Sequence, residues 1–165
     1  MNTKFTQRPN RGQFIAETPM VLWVLFILIA FPMICIASMG LNAIFLYYAC
    51  RDGAYQCAKE AKFSDGYNLA NSKVASDLAT HPGVSLLQND THIIEKRLSD
   101  GAITQTWSSH NPGGMNQPTV VNSNSIYFIQ EHVKGKISPL VPCIPPYDLE
   151  VDYKVFVENP NGLID

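Results

Sequence analysis

The sequence lacks the short motifs that mark common catalytic and nucleotide-binding sites. It contains no G-x-S-x-G motif, P-loop or dinucleotide-binding fingerprint. Its four histidines show neither the i, i+4 spacing nor the Cys-x-x-Cys pairs that are typical of metal sites. Two acid–histidine pairs, Asp77 with His81 and Glu131 with His132, are expected to be solvated surface residues. We therefore expect neither an enzyme nor a protein with a metal, a cofactor or a small-molecule substrate.

Basic residues are also scarce. The 165 residues include 12 Lys and Arg against 14 Asp and Glu, which gives a net charge of −2. No basic stripe is present, and this argues against nucleic acid as a partner. No internal repeat or long low-complexity segment is visible, and the length corresponds to about one domain.

Charge is absent altogether between Glu17 and Arg51. Within this stretch, residues 20–37 form an almost unbroken apolar run. About 20 residues of helix span the ~30 Å hydrocarbon core of a bilayer. Pro19 lies near the start of the predicted helix, where proline is tolerated, whereas Pro32 is expected to kink the helix or loosen one turn. The sequence therefore predicts one transmembrane helix.

The charges on the two sides of this helix differ. Lys4, Arg8 and Arg11 precede it with no acid before Glu17, and mixed charges follow it. The positive-inside rule then predicts a single-pass protein of the inner (cytoplasmic) membrane, with a cytoplasmic N-terminus and an extracytoplasmic C-terminal domain. A cleaved secretory signal is the main alternative. We favour a retained anchor because the apolar run exceeds the usual signal length and residues 36–38 make a poor cleavage site.

The chain divides into a basic leader at residues 1–12, a transmembrane and extended helix at 13–62, and an extracytoplasmic domain at 63–165. Beyond the membrane, the helix carries two rows of residues at helical spacing. The first row, mostly small, comprises Ala43, Tyr47, Cys50, Ala54, Cys57 and Ala61. The second row comprises Leu41, Ile44, Phe45, Tyr48, Asp52 and Tyr55. For both rows we favour packing against the chain's own domain over contact with a neighbouring subunit.

The predicted domain begins with a shorter helix. Residues 64–66 are expected to break the long helix, and the shorter one is expected to stop at residues 81–83. Its apolar positions recur three or four residues apart, at Tyr67, Ala70, Val74 and Leu78. This spacing predicts one amphipathic face.

Beyond residue 83 the pattern favours strands. Residues 84–88 and 91–98 are predicted to form a hairpin around Asn89 and Asp90, although the second segment could instead be helical. Residues 99–101 are predicted to form a turn that leads into a strand at 103–107.

Strands are clearest in the last third of the chain. Residues 125–129 and 133–137 are predicted to be strand pieces around a polar interruption, and residues 149–157 alternate almost strictly. The alternation places Leu149, Val151, Tyr153, Val155 and Val157 on one face of a half-buried strand. The predicted fold class is therefore α+β, with an antiparallel sheet packed against the long helix.

Four cysteines allow several disulfide arrangements. Cys35 lies in the membrane run and is expected to be a packing residue. Cys50 and Cys57 share a helix face, but seven residues of helix separate them by ~10.5 Å, whereas a disulfide needs Cα atoms within ~7 Å. Cys143 is therefore expected to pair with Cys57, or else with Cys50, in an oxidising compartment. Unpaired thiols are the alternative.

The start of the chain resembles the processing site of type IV pilin-like precursors. Residues 11–17 read Arg-Gly-Gln-Phe-Ile-Ala-Glu and lead into the apolar helix. With Ala54, Ala58 and Ala61 on the emerging helix, this motif resembles the TadE-like proteins of tight-adherence (Tad/Flp) pilus systems. Residues 137–142 and the alternating strand that follows are similar to the close of TadE-like ectodomains. The chain departs from the pattern at Gln13 and Phe14, where small residues are common, at Pro32 and in its cysteines.

The resemblance implies a pilin-like fold and the role of a pseudopilin in bacterial cell adhesion. Such a protein supports assembly of a tight-adherence pilus or a related secretion system. Its expected partners are the membrane and other pilin-like subunits or pilus assembly proteins.

The resemblance also implies that a prepilin peptidase cuts between Gly12 and Gln13. Glycine offers the least steric hindrance to a protease that approaches the backbone. The cut would free an amine about one helical turn before Glu17. The carboxylate near a helix N-terminus is favoured by ~0.3–1 kcal/mol, and in an assembly it is expected to pair with the amine of a neighbouring subunit. The alternative is that Glu17 only caps the helix at the membrane interface.

Overall fold

The structure is a computed structural model that describes residues 11–109, 116–140, 144–158 and 160–163. For residues 11–17 it describes the backbone alone. The order of elements is two helices, four strands and a short 3-10 helix. The predicted α+β class is confirmed at this level.

The first helix, α1, runs without interruption from Arg11 to Lys59, a length of 49 residues. It begins inside the predicted leader, of which residues 1–10 lie outside the described part, and it continues through both Pro19 and Pro32. By length and composition, it is the one helix among the described residues that is able to cross a membrane. The predicted transmembrane helix is therefore confirmed as a candidate span.

The second helix, α2, covers Phe63–Ala79 and packs against α1. The break between the helices was predicted at residues 64–66, but it lies at residues 60–62. Gly66 belongs to the first turn of α2, where its N–H donates to the Lys62 carbonyl at 3.0 Å. A Cβ at Gly66 would lie 2.8 Å from the backbone oxygen of Cys57. The glycine therefore allows α2 to approach α1 closely and does not end a helix.

The four strands form one antiparallel sheet in the order β2-β1-β3-β4. The strands are β1 at Val84–Arg97, β2 at Ile103–Ser108, β3 at Ser125–Ile137 and β4 at Tyr147–Phe156. A short 3-10 helix, η1, follows at Pro160–Leu163. The turn between β1 and β2 was predicted, and Gly101 adopts a φ of 68° there, a conformation that favours glycine.

Two predicted interruptions do not exist. Residues 84–97 form one strand, in which Asn89 and Asp90 pair with Val133 and His132 of β3. The predicted hairpin is wrong because pairing with the long strand β3 keeps β1 extended through these residues. The register of the two strands shifts once, between Leu86 and Gln88, which indicates a β-bulge. The polar interruption predicted near residues 130–132 also lies within a continuous strand, β3.

One face of the sheet is covered by α1 and α2, and the core lies between these layers. The alternation predicted for β4 is confirmed, since Leu149, Val151, Tyr153 and Val155 are half-buried and the residues between them are exposed. Val157 is buried just beyond the strand end. The core has two clusters. The first contains Cys57, Phe63, Ala70, Ile93, Tyr127, Ile129, Val157 and Leu163, and the second Leu46, Ala49, Cys50, Val74, Leu78, Val84 and Val133.

Candidate membrane and assembly interface

The first candidate interface is the apolar segment of α1, residues 18–37. Every residue from Met20 to Ile29 is between 51% and 73% exposed within the chain. Apolar side chains surround this part of the helix on all sides, which is typical of a helix buried in a membrane or a partner. The segment is about 30 Å long, the thickness of a bilayer core. Cys35, near its end, is instead fully buried.

The packed segment of α1, residues 38–59, covers the sheet with one face. The buried residues on that face are Leu46, Ala49, Cys50, Gly53, Ala54 and Cys57. Most of them are small, which brings the helix axis close to the sheet and to α2. A Cβ at Gly53 would lie 2.7 Å from Val74 Cγ2. The preferred interpretation of the first row, packing within the chain, is confirmed for Cys50, Ala54 and Cys57, whereas Tyr47 and Ala61 are exposed.

Most of the second row faces away from the sheet. Leu41 and Ile44 are 57% and 50% exposed, and Tyr48 is 51% exposed. Internal packing was therefore the wrong interpretation for most of this row.

Two residues of the row do contact the domain. The Phe45 ring stacks on His81 with centroids 3.8 Å apart. The Tyr55 ring lies 5.8 Å from the ring of Tyr153 in β4. Internal packing therefore holds for these two positions.

A polar junction fixes the domain to α1 just beyond the apolar segment. Asn42 Nδ2 donates to the carbonyl oxygens of Gly83, at 3.3 Å, and Ser138, at 3.0 Å. The Leu140 N–H donates to Ser38 Oγ at 3.2 Å. Two separate loops of the domain therefore bind the same two turns of helix. This junction sets where the apolar segment leaves the domain.

Glu131 is the most unusual polar residue at the contact between α1 and the sheet. The sequence predicted a solvated side chain, but Glu131 has 0% exposure and faces the helices. Its Oε2 accepts a hydrogen bond from Thr91 Oγ1 at 2.7 Å, whereas Oε1 has no hydrogen-bond partner among the described residues. A Cβ at Gly53 would lie 3.5 Å from Oε1. The carboxyl group therefore lies directly beneath the packed segment of α1.

Burial determines the charge of this group. Desolvation raises the pKa of Glu131 from its ordinary value of 4.5 to about 7, and the hydrogen bond from Thr91 opposes the shift. The group therefore titrates near neutral pH. The alternation of β3 gave a clue to this burial, since residues 127, 129, 133 and 135 are buried on the same face.

The neighbouring His132 points to the opposite face. Its Nδ1 lies 2.9 Å from Asp152 Oδ1, to which Gln130 Nε2 also donates at 2.8 Å. Glu131 and His132 are therefore not an interacting pair. Within the described residues, no group of three or more His, Cys, Asp or Glu side chains is placed to hold a metal ion.

Asp77 and His81, the other acid–histidine pair in the sequence, also contact other residues and not each other. Asp77 accepts a hydrogen bond from Lys73 Nζ at 2.6 Å, and His81 stacks on Phe45. Both side chains are partly exposed.

The predicted processing site lies at the start of α1. Gly12, Gln13 and Glu17 all have helical backbone. Their side chains lie outside the described residues, so cleavage after Gly12 and an assembly contact at Glu17 stay predictions. The helix does place Glu17 one residue before the apolar segment.

Cys143, the expected partner in the predicted disulfide, lies outside the described residues. Cys50 and Cys57 are buried free thiols that do not pair with each other, as predicted. The Cys50 thiol donates to the Glu131 carbonyl at 3.3 Å. The pairing of Cys143 with Cys57, or else with Cys50, stays a prediction.

Comparisons with known protein families, with curated proteins and with solved structures find no match for this chain.

Proposed function

We propose that this protein is a single-pass, membrane-anchored pilin-like subunit that supports assembly of a tight-adherence pilus or a related secretion system. Its N-terminus is cytoplasmic, and the domain formed by α2 and the sheet is extracytoplasmic. A prepilin peptidase removes residues 1–12, and Glu17 then pairs with the amine of a neighbouring subunit.

The observation that carries the proposal is the division of α1. Residues 18–37 are apolar on all sides and, apart from Cys35, largely exposed, whereas residues 38–59 form one wall of the domain. A subunit that leaves a membrane to enter a filament needs both properties in one rigid helix. The first segment must be stable in lipid or among other helices, and the second must carry the folded domain with it.

The motif at the N-terminus supports the same proposal through local chemistry. An acid at the edge of a bilayer costs free energy, up to ~2.5–3.5 kcal/mol if it is carried to the centre. A partner that supplies a positive charge offsets this cost. The amine freed on Gln13 of a second subunit has the required charge, and its own helix presents it at a similar depth.

Processing is tested by mass spectrometry of the intact protein from its host membranes. We expect the mass of a chain that begins at Gln13, and we expect Gly12→Glu to retain residues 1–12. Gly40→Ala is the matched control, because a Cβ at Gly40 has no atom within 4 Å. A full-length mass for the unmodified protein in assembled pili would overturn the processing step.

The assembly contact is tested with Glu17→Gln, measured by the yield of surface pili. Glu60→Gln is the control, because it removes the same charge from an exposed site beyond the end of α1. We expect a loss of pili for the first variant alone, with equal amounts of both variants in the membrane. Normal pili with Glu17→Gln would remove this residue from assembly.

A second candidate function is a membrane-anchored binding module that does not enter a pilus. The polar face of the sheet favours it, since no described element covers the side chains of Gln130, His132 and Lys134. This alternative predicts that Glu17→Gln leaves activity unchanged and that the protein never copurifies with filaments.

A further inference from the structure

A groove opens at the edge of the sheet that is farthest from β4. It has a volume of about 700 Å³ and lies between β2 and residues 116–123. Pockets of this size are typical of small-ligand sites. The groove is remote from the membrane segment and from Glu17, so its role does not depend on the proposed function.

The register of the strands builds the floor of this groove. Glu95 of β1 pairs with Gln105 of β2, and two residues further along, Ile93 pairs with Trp107. Residues two apart on a strand face the same side, so Glu95, Gln105 and Trp107 share one face. A bulge at Thr104, where the register shifts between Glu95 and Lys96, bends β2 at this point.

Trp107 is held in place while part of its ring stays accessible. It packs against the core cluster that includes Ile93 and Tyr127, yet it also lines the groove and is only half-buried. A rigid indole with one accessible part offers an apolar surface at low conformational cost. This is the kind of surface on which the C–H face of a sugar ring stacks.

The opposite wall is also preformed. The Asn122 N–H donates to Tyr127 Oη at 2.9 Å, and the Asn122 side-chain oxygen accepts from the Asn124 N–H at 3.0 Å. Val121 packs against the core, and Pro118 is buried. These contacts fix the wall before any ligand arrives, which lowers the entropic cost of binding.

Glu95 places an acidic hydrogen-bond acceptor in the groove. The residue is 5% exposed and lines the groove. Its carboxyl oxygens are not among the buried atoms that lack a hydrogen-bond partner, so they are accessible from the groove. An ionised carboxyl group only accepts hydrogen bonds, and it therefore suits a ligand that donates them.

The remaining lining residues define the chemistry of that ligand. Four carry side-chain amides, namely Gln105, Asn116, Gln117 and Asn122, and several others carry hydroxyl groups. Amides both donate and accept, as sugar hydroxyl groups do. No Lys, Arg or His is among the described lining residues, which disfavours phosphate and other anions.

We propose that this groove binds a neutral carbohydrate. Trp107 stacks on the apolar face of a sugar ring, the carboxyl group of Glu95 accepts from two hydroxyl groups, and the amides bind the rim. Hydrolysis of glycosides normally needs a pair of carboxyl groups, and Glu95 is the only acid among the described lining residues. The expected activity is therefore binding.

The test uses the full chain in phosphatidylcholine nanodiscs, because sugar-based detergents would compete. The sequence contains two tryptophans, so Trp23→Phe leaves Trp107 as the sole reporter. Maltotriose, lactose and the trimer of N-acetylglucosamine are each titrated to about 10 mM. We expect at least one of the three sugars to give a saturable change in fluorescence.

Variants then assign the site. We expect Glu95→Gln to weaken binding about tenfold, because a charge-assisted hydrogen bond becomes a neutral one. Glu158→Gln, an exposed change outside the groove, is the matched control and should leave binding unchanged. If Glu95→Gln unfolds, Gln105→Ala replaces it, because Gln105 is exposed and its truncation leaves the core intact.

Three results would overturn the proposal. The first is no response to any of the three sugars, and the second is equal binding by the Glu95→Gln and control proteins. The third is binding only of a charged or peptide probe, for which sialyllactose, trilysine and trialanine are the comparisons. A response to trialanine alone would indicate that β2, an edge strand, adds an extended peptide instead.

Discussion

The two segments of α1 are built largely from apolar residues, yet they meet different surroundings. Residues 18–37 present large side chains in every direction, and the domain covers almost none of them. Residues 38–59 present small residues on one face and bury only that face. A helix that packs against a sheet needs a narrow, close-fitting stripe, whereas a helix in lipid needs length and apolar character on all sides. The change from one pattern to the other marks where the domain begins.

The difference between the two segments predicts that a charge in the middle of the apolar segment has the largest effect, a loss of membrane insertion. Leu28 is 69% exposed and about halfway along residues 18–37. We expect Leu28→Arg to cost ~2.5–3.5 kcal/mol of membrane insertion, a shift of about 100-fold in the insertion equilibrium. Carbonate extraction of membranes measures the integrated fraction, and Leu28→Ala is the control. An arginine variant that stays integrated would show that this segment is not in contact with lipid.

The second prediction concerns the buried acid beneath the packed segment. Because the folded-state pKa of Glu131 is raised, its contribution to stability is fully present below the unfolded value of 4.5 and is lost as the pH rises through about 7. The loss amounts to roughly 3 kcal/mol across that window. Chemical unfolding of the full chain in nanodiscs, at pH 5 and pH 8, measures this difference.

Replacing the acid isolates its effect from other titrations. We expect Glu131→Gln to remove most of the difference between pH 5 and pH 8, because the amide is neutral at both values. Glu158→Gln, which is exposed, should keep it. A loss of stability from pH 5 to pH 8 that survives Glu131→Gln would assign the loss to another group. His92 is not that group, because burial lowers its pKa and its effect on stability therefore increases with pH.

The third prediction tests the junction between the two segments. Asn42→Ala removes two hydrogen bonds to Gly83 and Ser138, at about 1 kcal/mol each. We expect faster hydrogen exchange in the loops at residues 80–84 and 137–140, with the sheet unaffected. Asn68→Ala, on the exposed side of α2, is the control. Unchanged exchange in both loops would show that other contacts hold the junction.

The smallest predicted effects come from two glycines of the same helix. Gly53→Ala brings a Cβ to 2.7 Å from Val74 Cγ2, and the resulting strain should cost ~1–2 kcal/mol after the gain in helix propensity. Gly40→Ala meets no atom within 4 Å and should stabilise by ~0.5–1 kcal/mol. Thermal unfolding measures both variants, and we expect Gly53→Ala to lower the melting temperature and Gly40→Ala to raise it. A rise for both variants would show that residues 38–59 are packed less tightly than described.

Much of the architecture was predictable because it depends on local periodicity. The uncharged stretch after Glu17 predicted a membrane-length helix, and the spacing of Ala70, Val74 and Leu78 predicted α2 with its buried face. The alternation in residues 149–157 predicted β4 and the face that it buries.

The features that were missed depend on partners distant in sequence. Asn89 and Asp90 have turn propensity, but pairing with β3 keeps them in a strand. Gly66 lies in a segment whose composition predicts a helix end, but the glycine instead allows α2 to approach Cys57 closely. Glu131 belongs to a polar triplet, and only the covering helix makes it a buried acid.

By itself, the sequence determined that the chain has a membrane-length apolar helix, a shorter amphipathic helix and strands. In the last strand, it also determined which side chains face the core. Hydrophobic length and periodicity are local properties of a chain, so no further information was needed. The tertiary structure alone decided which face of α1 packs and where the domain is fixed to it. It also decided that Glu131 is buried and that Glu95 and Trp107 line one groove. These outcomes depend on contacts between distant residues, whose desolvation and pairing energies arise only after the sheet and helices have come together.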